Sequence, residues 1–105
     1  MRGNSKMTFE NLVQSILDLL SEKKVIYKTS NKYKVTELFD FVFRGHLAMI
    51  LLTDDNPTHF EINVEFAISQ TLDHFKLPHD ELTIRTIRTF QSDKTYNKIF
   101  QLLGK

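Results

Sequence analysis

Lys23 to Lys34 reads KKVIYKTSNKYK, a stretch of five lysines, two tyrosines and no acid. Ammonium groups attract phosphates by charge, and each phosphate neutralised releases counterions. Tyrosines set among lysines stack on the bases of single strands. Lys23, Lys24, Lys28, Lys32, Tyr33 and Lys34 are therefore candidate nucleic-acid contacts. The competing reading is that the tyrosines pack inward and the lysines guard an exposed strand edge against aggregation.

A second basic feature is TIRTIRT, Thr83 to Thr89. On a helix, Arg85 and Arg88 project about 60° apart. An outward face of arginine and threonine contacts phosphates and base edges, so both arginines join the candidate set. The outline of a helix-turn-helix around Leu77-Pro78 is loose, because no small residue or glycine stands where the turn wants one. Pairing of Arg85 and Arg88 with Glu61, Glu65 or Asp73 is the alternative.

Catalytic patterns are absent. The three glycines are Gly3, Gly45 and Gly104, too dispersed for a phosphate-binding loop or a dinucleotide fingerprint. There is no nucleophile elbow. Glu22 and Lys24 form an E-x-K pair, a spacing common at solvated helix ends. His74, His79, Asp80 and Glu81 form one group of metal-ligand types, and Asp54, Asp55 and His59 another. Neither has a histidine pair one helical turn apart, and ligation needs side chains converging on one point. His46 falls on an apolar face and reads as a core or boundary histidine. No enzyme, metal or cofactor is expected. Cysteine is absent, which excludes disulfides and thiol chemistry.

These side chains must be positioned by a small fold. A chain of 105 residues with 41% hydrophobic and 26% charged residues suits a single domain over 1–105, with residues 1–6 a flexible tail. Nine phenylalanines and no tryptophan indicate a Phe-rich core. The net charge of +1 conceals a segregation: residues 1–34 carry an excess of basic groups, residues 35–75 an acidic excess and residues 76–105 a basic one. No secretory signal is read in MRGNSKMTFEN. The longest apolar run, Leu47 to Leu52, is far short of the ~20 residues that span a bilayer. A cytoplasmic protein without membrane association is expected.

The periodicity predicts a helix over 8–22, capped by Thr8, with Phe9, Leu12, Val13, Ile16, Leu17, Leu19 and Leu20 on its apolar face. Residues 24–35 alternate around Thr29-Ser30-Asn31 and predict a hairpin. That hairpin would place Val25, Tyr27, Tyr33 and Val35 on one face and Lys24, Lys28, Lys32 and Lys34 on the other. Residues 36–53 predict a helix despite Gly45, with Leu38, Phe39, Val42, Phe43, His46, Leu47, Ile50 and Leu51 inward. Residues 58–76 predict a helix opened by a capping box at Thr58 and stopped at Leu77-Pro78. Asp80 caps a further helix over 80–91 with Leu82, Ile84, Ile87 and Phe90 inward. Asp93 caps a last one, with Tyr96, Ile99, Phe100 and Leu103 inward.

The expected fold is mainly α: four to five short helices around a Phe-rich core, with one small basic β-hairpin. The alternative is α+β with an antiparallel meander over residues 24–68. The leading functional expectation is a small non-catalytic nucleic-acid-binding or regulatory protein. The other is a protein-interaction module (an adaptor, inhibitor, immunity-type protein or complex subunit) docking a protein partner or forming a homodimer through its acidic middle. Exposed phenylalanine would favour the second.

Overall fold

The computed structural model describes residues 8–91 and 93–102. The expected tail over 1–6, Leu103 and the side chains of Asp93 and Phe100 lie outside the described residues. The fold is mainly α with one hairpin: α1 (Phe9–Glu22), β1 (Ile26–Thr29), β2 (Lys32–Val35), α2 (Glu37–Thr53), a 3-10 turn (Pro57–His59), α3 (Phe60–His74), α4 (Glu81–Phe90) and α5 (Asp93–Leu102).

Three helix starts have a local cause. The Thr8 hydroxyl accepts the Asn11 amide at 3.1 Å and opens α1. Thr36 does the same for α2, accepting from Phe39 N at 3.3 Å, while its own hydroxyl donates to the Lys24 carbonyl at 3.0 Å. Thr36 thus ties the base of the hairpin to the start of α2. Asp80 accepts both the amide and the hydroxyl of Thr83 and opens α4. Such caps satisfy amides that have no partner inside the helix.

The start of α3 differs from the expected capping box. Asn56, not Thr58, is the cap: its side chain accepts the Thr58 amide at 3.0 Å and hydroxyl at 2.9 Å. Pro57 then occupies the first position of a 3-10 turn that leads into α3, where its missing N–H costs nothing.

Two helix ends share one device. After α1, Lys24 N donates to Ser21 O and Val25 N to Leu20 O. After α3, Lys76 N donates to Asp73 O and Leu77 N to Leu72 O. Both are Schellman closures, each sealed by an apolar pair, Val25 on Leu20 and Leu77 on Leu72. All four of these residues are buried. The left-handed position of each is a lysine, with φ of 61° at Lys24 and 58° at Lys76, where glycine would be unstrained.

The hairpin register corrects the expected faces. Ile26 pairs with Val35, Tyr27 with Lys34, Lys28 with Tyr33 and Thr29 with Lys32. The loop is therefore two residues, Ser30-Asn31, with Ser30 at φ 53°, a backbone sign that two-residue hairpin turns require. Counting the loop as three residues inverts the whole of β1, because side chains alternate with period two. Ile26 and Lys28 share a face with Tyr33 and Val35, and Tyr27 and Thr29 share the other with Lys32 and Lys34.

The core draws on all five helices. Leu20, Val25, Phe39, Phe43, Leu47, Val64, Ile68, Leu72, Ile87 and Ile99 are all at most 1% exposed. Helices α2 and α3 make the most extensive pairing. Phe39 stacks on Phe75 with centroids 5.8 Å apart, and Tyr96 of α5 meets Phe43 and Phe60 edge-on at 6.2 and 5.6 Å. In α4 the inner arc is centred where expected, but Thr83 and Thr86 are buried in it beside Ile87, while Leu82, Ile84 and Phe90 are half-buried. The buried threonines are acceptable because their hydroxyls are bonded, Thr83 to Asp80 and Thr86 to the Leu82 carbonyl.

Candidate interaction surfaces

The basic residues singled out in the sequence do not form one strip. Lys23 ends α1, and Lys24 sits in the left-handed turn that follows. Lys28 lies on the Tyr33 face, its Nζ 5.8 Å from the tyrosine ring centre, within reach of a cation–π contact. The Tyr33 ring also meets Phe90 at 6.1 Å. Tyr33 therefore already has intramolecular neighbours. Lys32 and Lys34 lie on the opposite face with Tyr27, which is 48% exposed. Lys34 and Tyr27 line a recess of about 300 Å³ together with Thr36, Glu37, Asp40 and Phe90. Two carboxylates thus share the recess with its lysine.

Both arginines have acidic neighbours. Arg85 donates to Glu81 one turn earlier at 2.6 Å, in the open. Arg88 donates to Glu65 at 2.9 Å and lies 3.8 Å from Glu61. It joins α4 to α3 and pairs the basic third segment with the acidic middle. On α2 Asp40 pairs with Arg44 at 2.7 Å, and Asp73 near the end of α3 lies 3.2 Å from His79 beyond it. Much of the acidic middle is thus matched locally by basic side chains.

Asp54 organises the α2–α3 connection. Its carboxylate accepts from the Asn63 side chain at 3.2 Å and the Asn56 amide at 3.3 Å, and His59 Nδ1 lies 3.1 Å away. The Asn63 bond, and after it His59 and Asn56, hold the Asp54 carboxyl below the ordinary aspartate value against an opposing effect of burial. Asn63 is itself 8% exposed and also donates to the Asp54 carbonyl. This is a fold-fixing loop. Among the described residues, no group of three or more histidines and carboxylates could hold a metal ion. His46 is half-buried, and His74 meets the Phe75 ring at 5.1 Å.

The surface that the sequence reading missed is on α2. Leu38, Phe41, Met49 and Leu52 are 59, 77, 68 and 68% exposed. With Gly45 between them, they fall within an arc of about 80° at 100° per residue. The buried residues Phe39, Phe43, Leu47 and Leu51 project about 180° away. α2 is therefore apolar on two opposite faces. Leu38 belongs to the outer face, although the sequence grouped it with the inner one. α3 repeats the pattern in brief: Phe60 and Val64 turn inward, Ile62 and Phe66 are 67 and 53% exposed. The strand-like alternation of residues 60–66 arises because this helix is apolar on both sides there. A second series at 38, 41, 45, 49 and 52 was the available signal.

A separate apolar groove of about 280 Å³ runs between α1 and α4, lined by Phe9, Val13, Leu17, Leu82, Thr86 and Phe90 among others. No helix among the described residues is long and apolar enough to cross a membrane. Compared with protein-family models, curated proteins and solved structures, the chain matches none.

Proposed function

We propose that this chain is a small non-catalytic protein-interaction module, an adaptor, inhibitor or complex subunit, that docks through the outer face of α2. One observation carries the reading: Leu38, Phe41, Met49 and Leu52 line the helix surface opposite the core. Apolar surface gains about 25 cal/mol per Å² on leaving water, and monomeric proteins rarely leave a contiguous patch of several hundred Å² uncovered. The acidic middle, much of it paired within the chain, serves as the rim of such a contact. A cytoplasmic location goes with this reading and is supported by a cysteine-free composition.

A photo-crosslinking side chain at Phe41, expressed in cells, tests it. The expected result is a discrete covalent adduct with a polypeptide, absent when the same group replaces Glu81 on α4. No adduct at Phe41 removes the proposal.

A second reading is favoured by the placement of Tyr27, Lys32 and Lys34 on one hairpin face. It is a modest single-strand nucleic-acid contact, with phosphates on the two lysines and a base on the exposed tyrosine. Titration with labelled single strands across a salt series decides it. Binding that weakens on Lys32→Gln and Lys34→Gln, with a shallower salt slope, supports it. Absence of binding at low salt ends it.

A further inference from the structure

We infer that the occupant of the α2 face is a second copy of this chain, its α2 packed antiparallel across a two-fold axis at Gly45. The inference rests on the interaction reading above and names its partner. The outer residues are symmetric about Gly45: Phe41 and Met49 stand four residues to either side, Leu38 and Leu52 seven. A two-fold contact requires that a patch complement itself, with residue i on j and j on i. Antiparallel pairing about Gly45 sets Leu38 against Leu52 of the other copy, Phe41 against its Met49, and Gly45 against Gly45. Phe41 on Met49 is a sulfur–aromatic contact.

Gly45 is the second observation. It is exposed in the middle of a 17-residue helix, where glycine is unfavourable. A Cβ built on it meets nothing within 4 Å, so packing within the chain does not require the glycine. At the axis it lets two backbones approach closely, as small residues do where helices cross.

Charge selects the antiparallel sense. Glu37 and Asp40 lie in the first turn of α2, and its last turn has no basic residue. Parallel pairing sets Glu37 beside Glu37 and aligns the helix dipoles. Antiparallel pairing separates the acidic ends by the helix length and opposes the dipoles. The four large side chains leave roughly 500 Å² open per copy, taking about 200 Å² for a fully exposed side chain of this size. Two copies reach the ~1,000 Å² at which specific interfaces begin.

The cysteine-free chain makes the test clean. Leu38→Cys and Leu52→Cys proteins are prepared separately, mixed and oxidised mildly, and self-association of the wild type is followed by sedimentation. The expected results are a covalent heterodimer from the mixture, little from either variant alone, and a concentration-dependent wild-type dimer. Gly45→Leu is expected to weaken the dimer about tenfold or more through overpacking at the axis, with an unchanged helical circular dichroism signal. Crosslinking of Leu38→Cys with itself would overturn the antiparallel arrangement. A wild-type monomer at millimolar concentration would overturn the second copy as occupant. If the Phe41 photo-adduct then forms with another polypeptide, the interaction reading stands and this inference alone fails. If no adduct forms either, both fail.

Discussion

Helices α2 and α4 pack on the same core and use their outer faces in opposite ways. α4 buries two threonines inside and carries arginines outside, and both arginines meet glutamates of this chain. α2 buries phenylalanine and leucine inside and shows leucine, phenylalanine and methionine outside. The pair shows that burial does not require an apolar residue, provided each hydroxyl is bonded. It also shows that exposure does not require a polar one. The outer face of α4 finds its partners within the chain. That of α2 finds none among the described residues, which is why the functional reading settles there.

The sharpest break in this comparison lies within α2. Phe43→Ala empties a fully buried site and is expected to cost about 3–5 kcal/mol. Phe41→Ala, two residues away, is expected to move the stability of the dilute monomer by no more than about 0.5 kcal/mol. Urea unfolding of both variants at low protein concentration checks the contrast; equal losses would mean that Phe41 is packed within the monomer.

Next comes the polar interior of α4. Asp80→Ala removes the cap and strips the buried Thr83 hydroxyl of its acceptor, at an expected cost of about 1–2 kcal/mol. A double variant with Thr83→Val should recover part of that loss, because it removes the stranded hydroxyl. No recovery would confine the cost to the cap.

Gly45→Ala has the opposite sign. With open space at the Cβ position, helix propensity alone predicts a gain of about 1 kcal/mol in the dilute monomer. Thermal melts at low concentration measure it. A loss instead would show that the glycine serves the monomer fold. Smaller still, Lys24→Gly or Lys76→Gly should relieve the left-handed strain and stabilise by about 0.5 kcal/mol, net of the entropy that glycine adds to the unfolded chain.

The smallest expected effect is the pH dependence of Asp54. Its folded carboxyl titrates below the unfolded one, so its contribution is fully present above the unfolded value and is lost as pH falls through the folded one. Asp54→Ala should therefore be less stable than wild type at neutral pH, with the gap closing in acid. A gap that widened in acid would contradict the hydrogen-bonded, ionised carboxylate seen between α2 and α3.

Where helices begin and end was legible because those causes are local. Thr8 and Asp80 are read from residue type and position, and the stop at Leu77-Pro78 from proline chemistry. Asn56 was missed because Thr58 offered a familiar spacing that the 3-10 turn overrode. The hairpin was legible as a hairpin, but its faces were not. A one-residue difference in loop length inverts a strand, and Ser30-Asn31 carries no glycine to mark the turn.

By itself, then, the amino-acid sequence determined a mainly helical chain with one hairpin, the caps at Thr8 and Asp80, and the absence of cysteine. The helices and caps follow from interactions spanning four residues or fewer, and the hairpin from alternation around a short turn. Only the tertiary structure decided that Leu38 turns outward with Phe41, Met49 and Leu52, that Thr83 and Thr86 lie within the buried arc of α4, and that of its acidic candidates Arg88 bonds Glu65, 23 residues away. The helical period of α2 carries an inner series at Phe39, Phe43, Leu47 and Leu51 and a shorter outer one at Leu38, Phe41, Met49 and Leu52. The choice between them is made by the surfaces of α3 and α5 that close over one and leave the other open.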